Sequence, residues 1–212
     1  MFLNYKIYYN DSFVLLTNQH PQSNKNFAKV LDGEKECVFF FKNSLQLFDA
    51  NTNGNILAIS NNPLDVLKKI INDNTLIVAG GGIVSNEQDD LLLIYRRGKW
   101  DLAKGKIEPN EKIIDGAVRD VEEETGVKIK KVNKKPLLTY HAYQLKGKSC
   151  IKETSWYEMK AKDGQKTPTP QTEEGIDEVR WVKKQDLKNY QEDSYLLVWD
   201  LLVQNGALLP NH

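Results

Sequence analysis

The chain offers few residues for anchoring it in a membrane, building a disulfide framework or holding zinc. Cys37 and Cys150 are its two cysteines, far apart in 212 residues. They lack the spacing of a zinc site or a disulfide scaffold and are expected to be ordinary thiols. His20, His141 and His212 are equally scattered, which excludes a histidine-rich centre and leaves oxygen ligands to hold any metal. The longest uninterrupted apolar run, residues 76–84, has nine residues, three of them glycine. A helix crossing a bilayer needs about 20. Asn4, Lys6, Asn10 and Asp11 break up the N-terminus before a secretory apolar segment develops. A cytoplasmic protein with no membrane partner is therefore expected. The 29 basic and 29 acidic residues cancel, so no bulk field recruits nucleic acid, and recognition of a charged ligand must be local.

Composition changes near residue 74. Thirteen asparagines precede that point and six follow it, while all four arginines (Arg96, Arg97, Arg119 and Arg180) lie after it. This predicts a small α+β N-terminal domain over residues 1–74 and a larger α/β domain over 75–212. In the first, residues 6–9 and 12–17 read as a strand pair, 36–42 as a buried strand and 64–71 as a helix. No phosphate loop, acidic pair or basic recognition helix occurs there. In the second, strands are expected at 76–84, 91–96, 127–132, 137–145, 152–160 and 178–182, with a C-terminal helix over 194–204. Gly80, Gly81 and Gly82 lack the Gly-Lys-Ser/Thr ending of a phosphate loop, so a bulge or close packing is the expected reason for them.

The chemistry concentrates between Gly105 and Val127. Ile114, Ala117, Val118 and Val121 keep helical spacing from about Glu111 to Thr125, with Asn110 as N-cap and Gly126 as the C-terminal stop. Asp120, Glu123 and Glu124 then share one face at i, i+3 and i+4. Arg119, four residues before Glu123, can pair with one acid, and the remaining negative charge calls for a cation. Magnesium, or manganese, suits a sparse carboxylate face whose other ligands are water and phosphate oxygens. Lys104 and Lys106, just ahead of the helix, would meet the phosphates. The bland alternative is a solvated acidic helix face.

This segment resembles the signature of the Nudix hydrolases. Gly105, Glu111, Arg119, Val121, Glu123, Glu124, Gly126 and Val127 fit it, and Asp120 stands where that family has glutamate. The resemblance covers about residues 74–205 and implies an α/β/α sandwich with a mixed sheet. It also implies a metal-dependent hydrolase of diphosphate linkages, with catalytic residues Glu111, Arg119, Asp120, Glu123 and Glu124. Asp120, Glu123 and Glu124 would bind metal, and Lys104 and Lys106 would bind substrate. The stretch 99–108 is similar to the Trp-x-Leu-Pro-Lys-Gly-His segment of relatives acting on dinucleoside and diphosphoinositol polyphosphates, with Ala103 replacing proline and Lys106 replacing histidine. Glu173 or Glu174, in a proline-broken loop, is a candidate base. Trp100, Tyr140, Tyr143 and Trp156 are candidates for stacking on a base, with core packing the favoured alternative.

The expected substrate is a nucleoside or dinucleoside polyphosphate. An ADP-sugar pyrophosphatase and a nucleotide-sensing module of weak turnover are the rival readings, and a homodimer is a candidate assembly.

Overall fold

The structure, a computed structural model, describes residues 3–21, 25–44, 54–164 and 167–208. Two compact units divide the chain. One holds Met1–Ile77 and Thr139–Glu153, the other Val78–Leu138 and Thr154–His212.

In the first unit Asn4–Tyr9 (β1) and Ser12–Thr17 (β2) form an antiparallel hairpin. Asn10 turns it at φ 46°, a left-handed conformation that asparagine tolerates. Lys29–Asp32 (β3) follows, and Ile56–Ile59 (β4) pairs in parallel with both β2 and β3. On the other side, Tyr140 and His141 pair in parallel with Ile7 and Tyr8 of β1. Residues 36–42, expected as a strand, lie instead in a helix, Glu34–Ser44 (α1). Glu34 and Glu36 favour its first turn. Cys37 and Phe41 are buried one turn apart while Phe39 is 72% exposed, the period of a helix rather than a strand. Pro63–Asn72 (α2) begins at proline, pre-set for the first helical turn. Val66, Leu67 and Ile70 of α2 join Cys37 and Phe41 in a core with Ile7, Val14, Leu16 and Ile56.

The second unit is built from Thr75–Ser85 (β5), Leu91–Arg96 (β6), Lys99–Asp101 (β7), Lys104–Lys106 (β8), Ile113–Thr125 (α3), Ile129–Val132 (β9), Leu137–Leu145 (β10), Lys148–Ala161 (β11), Ile176–Val182 (β12) and Leu196–Gln204 (α4). Its sheet runs β12-β6-β5-β11, with β7 on β6, β8 on β5 and β9 on β11. Side chains alternate between the sheet's faces. One face packs Val84, Leu92, Ile94 and Met159 against Ala117 and Val121 of α3. The other packs Ile83, Leu91, Leu93 and Trp156 against Val198, Leu201 and Leu202 of α4. The result is the expected α/β/α sandwich. The parts of β10 and β11 between Thr139 and Glu153 belong to the first unit.

The three glycines of β5 serve close packing. A Cβ on Gly80 would lie 2.8 Å from the Cβ of Ala117 and 2.9 Å from the carbonyl of Ile113, and one on Gly82 would lie 2.8 Å from Val121. Any side chain there would lift α3 off the sheet.

Candidate active site

α3 starts two residues later than the sequence suggests. Its N-cap is Lys112, with no side-chain cap, and Asn110 sits in the preceding turn at φ 66°. The turn is tied by a carboxylate instead. Glu111 accepts the backbone N–H of Glu108 at 2.9 Å and both Nε and Nη2 of Arg119 at 2.8 and 2.9 Å. Arg119 hydrogen-bonding, then the Glu108 N–H, pulls the Glu111 carboxyl down to about 2. Gly126 closes the helix in the left-handed conformation at φ 69°.

Arg119 is the hub of the acidic face. Besides Glu111, its Nη1 donates to Asp120 at 2.6 Å and to Glu123 at 3.2 Å, and its Nη2 to the Lys106 carbonyl at 3.4 Å. The other oxygen of Asp120, Oδ2, is buried without a hydrogen-bond partner. Burial raises the Asp120 carboxyl above its ordinary range, against the opposing pull of Arg119. The shorter side chain fits a tight space. A Cβ on Gly105 would stand 2.4 Å from the Asp120 carboxylate, so β8 passes directly over it.

Glu124 is the most buried acid of the face, 5% exposed. Its Oε2 accepts the Lys104 backbone N–H at 2.9 Å, and its Oε1 lies 3.7 Å from Nη1 of Arg96. Burial dominates and pushes its carboxyl up to about 7. Arg96, at the end of β6, also donates to Glu174 at 3.3 Å. It therefore links the loop glutamate to the buried acid. The same loop is held to the end of α3 by Gln171 N–H to the Glu124 carbonyl at 3.1 Å and Thr169 N–H to the Thr125 carbonyl at 2.8 Å. Sequence reasoning gave Arg96 no role. A signal was present, since an acid on the buried edge of an amphipathic helix needs a cation.

The remaining candidates are placed differently. Residues 104–106, just ahead of α3, form strand β8, paired with Gly81, Gly80 and Ala79 of β5. Lys104 Nζ pairs with Asp101 and donates to the Leu102 carbonyl at 3.3 Å, while Lys106 is exposed. Glu173 is exposed in a single 3-10 turn with Glu174. Trp156 is buried against Gly81. Trp100 is buried between Tyr95 and Tyr190, with Arg180 over its ring at 5.4 Å. Both tryptophans are core residues. Tyr140 and Tyr143 belong to the first unit.

Among the described residues no group of three acids, cysteines or histidines is arranged to hold a metal ion; Glu111, Asp120 and Glu123 surround a guanidinium instead. The donor chemistry nevertheless fits a hard divalent cation. The donors are all oxygens, Asp120 Oδ2 has no partner, and the Glu124 carboxylate is buried with one N–H bond and a distant arginine.

Comparison with known proteins places this geometry. Residues 75–199 match the NUDIX domain family. Solved structures with a similar chain trace include the MutT protein of Methanosarcina mazei Go1 at 19% identity, covering 62% of this chain and 93% of that one, TM-score 0.44. A C. elegans Ap4A hydrolase matches at 17% identity, 62% and 96% coverage, TM-score 0.46. A MutT chain from a structural study of the Aliivibrio salmonicida and Vibrio cholerae proteins matches at 26% identity, 61% and 93% coverage, TM-score 0.42. The family match spans more than half of the sequence and contains every residue of the acidic face, so the chain belongs to the Nudix hydrolases, enzymes that act on pyrophosphate bonds and use divalent cations.

Proposed function

We propose that this chain is a magnesium-dependent hydrolase of a diphosphate linkage in a nucleoside or dinucleoside polyphosphate, with manganese able to replace magnesium. The observation that carries this reading is the pairing of a partnerless buried oxygen on Asp120 with a desolvated carboxylate on Glu124, on one helix face beside β8. Asp120, Glu123 and Glu124 would hold the cation, which supplies charge neutralisation for the phosphoryl oxygens when bound. Glu111 holds Arg119, and Arg119 in turn orients Asp120 and Glu123. Lys106, and Lys104 on release from Asp101, would contact the phosphate chain as point charges. Glu174, kept beside Glu124 through Arg96, is the candidate to accept the proton of the attacking water. The substrate class rests on residues 99–108, whose Trp100-Asp101-Leu102 and Lys104-Gly105 keep the polyphosphate-hydrolase pattern.

A second reading is favoured by Arg119, which engages three acids at once and occupies one oxygen of the short Asp120. In that reading the domain binds nucleotide with little turnover. A panel of mono- and dinucleoside polyphosphates and ADP-sugars with magnesium, scored for products and for binding, decides between them. Glu123→Gln and Glu124→Gln should each lower hydrolysis at least about a hundredfold without loss of thermal stability. Retained turnover in both variants would remove this site assignment. Binding without turnover in the wild type, with turnover gained in Asp120→Glu, would establish the sensing module.

A further inference from the structure

A cavity of about 720 Å³ opens in the second unit, lined by Ile83 and Leu91 from the α4-side core, by Val132 and Met159 from the α3-side core, and by Lys131, Lys134, Lys160 and Lys184. None of the residues of the acidic face of α3 lines it. Ile83 and Leu91 belong to the core shared with α4, whereas Gly82, next to Ile83 in β5, faces Val121 of α3. Asn205, Gly206 and Ala207, just past α4, also line it, so the cavity opens beside the end of α4 and apart from the acidic face of α3. Its volume falls in the range of small-molecule sites, about 300–1,000 Å³.

The charges around it are unbalanced in a definite way. Two acids line the cavity, Asp89 and Glu158, and both are already engaged. Asp89 pairs with Lys160, and Lys184 adds to the field that lowers its carboxyl. Glu158 accepts the Asn205 amide at 2.6 Å and the Asn133 amide at 3.2 Å. This bridge fixes the end of α4 to the turn after β9 across β11, so two walls of the cavity are held in place before any ligand arrives. The side chains of Lys131, Lys134 and Lys184 make no hydrogen bond or ion pair among the described residues. Three lysines lining one cavity carry charges that repel one another unless an anion enters. The wall holds no arginine. Its cations are compact point charges suited to the tetrahedral oxygens of phosphoryl groups, not the planar fork that grips a carboxylate two-handedly.

We infer that this lysine-rimmed cavity is a second ligand site, separate from the hydrolase site, for a small molecule carrying two or more phosphoryl charges. Inorganic pyrophosphate is the probe. It is titrated by calorimetry into the full chain in EDTA, so that no metal draws it to the acidic face. Lys104→Ala/Lys106→Ala silences the phosphate contacts proposed for that face. Binding should survive this double alanine variant within about twofold and weaken at least tenfold in Lys131→Glu/Lys184→Glu. The milder Lys131→Gln/Lys184→Gln, which guards against misfolding, should weaken it by an intermediate factor, and the amides of Gly206 and Ala207 should shift on titration. Loss in Lys104→Ala/Lys106→Ala with full binding in the double glutamate variant would put the anion at the hydrolase site and overturn the inference. Citrate binding as tightly as pyrophosphate would overturn it too, by removing the phosphoryl preference.

Discussion

Replacing Gly105 by alanine tests how the short acid at position 120 is used. The backbone of Gly105 is not among the left-handed glycines, so alanine meets no conformational barrier. Its Cβ, however, would stand 2.4 to 2.5 Å from the three carboxyl atoms of Asp120. An ordinary contact to such atoms begins near 3.4 Å, so about 1 Å of separation must be found. Strand β8 cannot easily supply it, because Lys104, Gly105 and Lys106 are paired with β5. The carboxylate is what moves. A 1 Å misplacement of a reacting or ligating group costs about a hundredfold in rate, close to 3 kcal/mol of barrier. Gly105→Ala should therefore lower kcat/KM with magnesium by roughly that factor while thermal unfolding changes little. The same substitution on an Asp120→Ala background should cost nothing further, because the obstructed group is gone. Activity within threefold of wild type would refute the reasoning. Equal losses on both backgrounds would also refute it, showing that β8 acts on the substrate and not through Asp120.

Three further outcomes follow from particular contacts. In metal-free protein the Glu124 carboxyl is raised from 4.5 to about 7 by burial, so its contribution to stability is complete below pH 4.5 and is lost as pH rises through 7. That loss is about 3 kcal/mol at 1.36 kcal/mol per tenfold in the proton equilibrium. EDTA-treated wild type should lose more melting temperature between pH 5 and 8 than Glu124→Gln, and parallel pH profiles would contradict this. Arg96→Ala cuts the link from Glu124 to Glu174 and should speed amide exchange at Glu174 and Gly175 several-fold, whereas unchanged exchange would mean the backbone bonds at Thr169 and Gln171 suffice. The fragment 75–212 keeps Tyr140 and Ile151 but loses the strands and helices that bury them, at about 1.5–3 kcal/mol for each. It should aggregate or melt well below the full chain on size exclusion and calorimetry, and a monomer of full-length stability would show the neighbouring strands β10 and β11 to be self-sufficient.

What the sequence made legible was whatever repeats at short range. The stripe of Ala117 and Val121, the acids at 120, 123 and 124, and the β1–β2 hairpin each need only a period and a turn residue to be read. The stretch 36–42 defeated the same reasoning. Its aromatic run suits a strand by propensity, yet the packing of Cys37 and Phe41 against α2 decides for a helix. Strands β3 and β4 escaped because each is four residues long and is defined by parallel pairing with a distant partner. The attachment of Thr139–Glu153 to the first unit is likewise a long-range fact, since nothing in that segment's alternation says which strand lies beside it.

Arg96 shows how such a gap closes physically. Glu124 was legible as a ligand candidate, and its place beside the buried stripe already implied that its charge would be costly without a partner. Only four arginines are available in the chain. Arg119 lies at i−5 from Glu124 on α3 and already pairs with Glu111, Asp120 and Glu123. Arg180, on β12, pairs with Glu178 and Tyr190. That leaves the Arg96-Arg97 pair at the end of β6, of which Arg97 turns in the left-handed region at φ 54°. Arg96 remains, and the structure places its guanidinium between Glu124 and Glu174 with Nε still buried and without a partner.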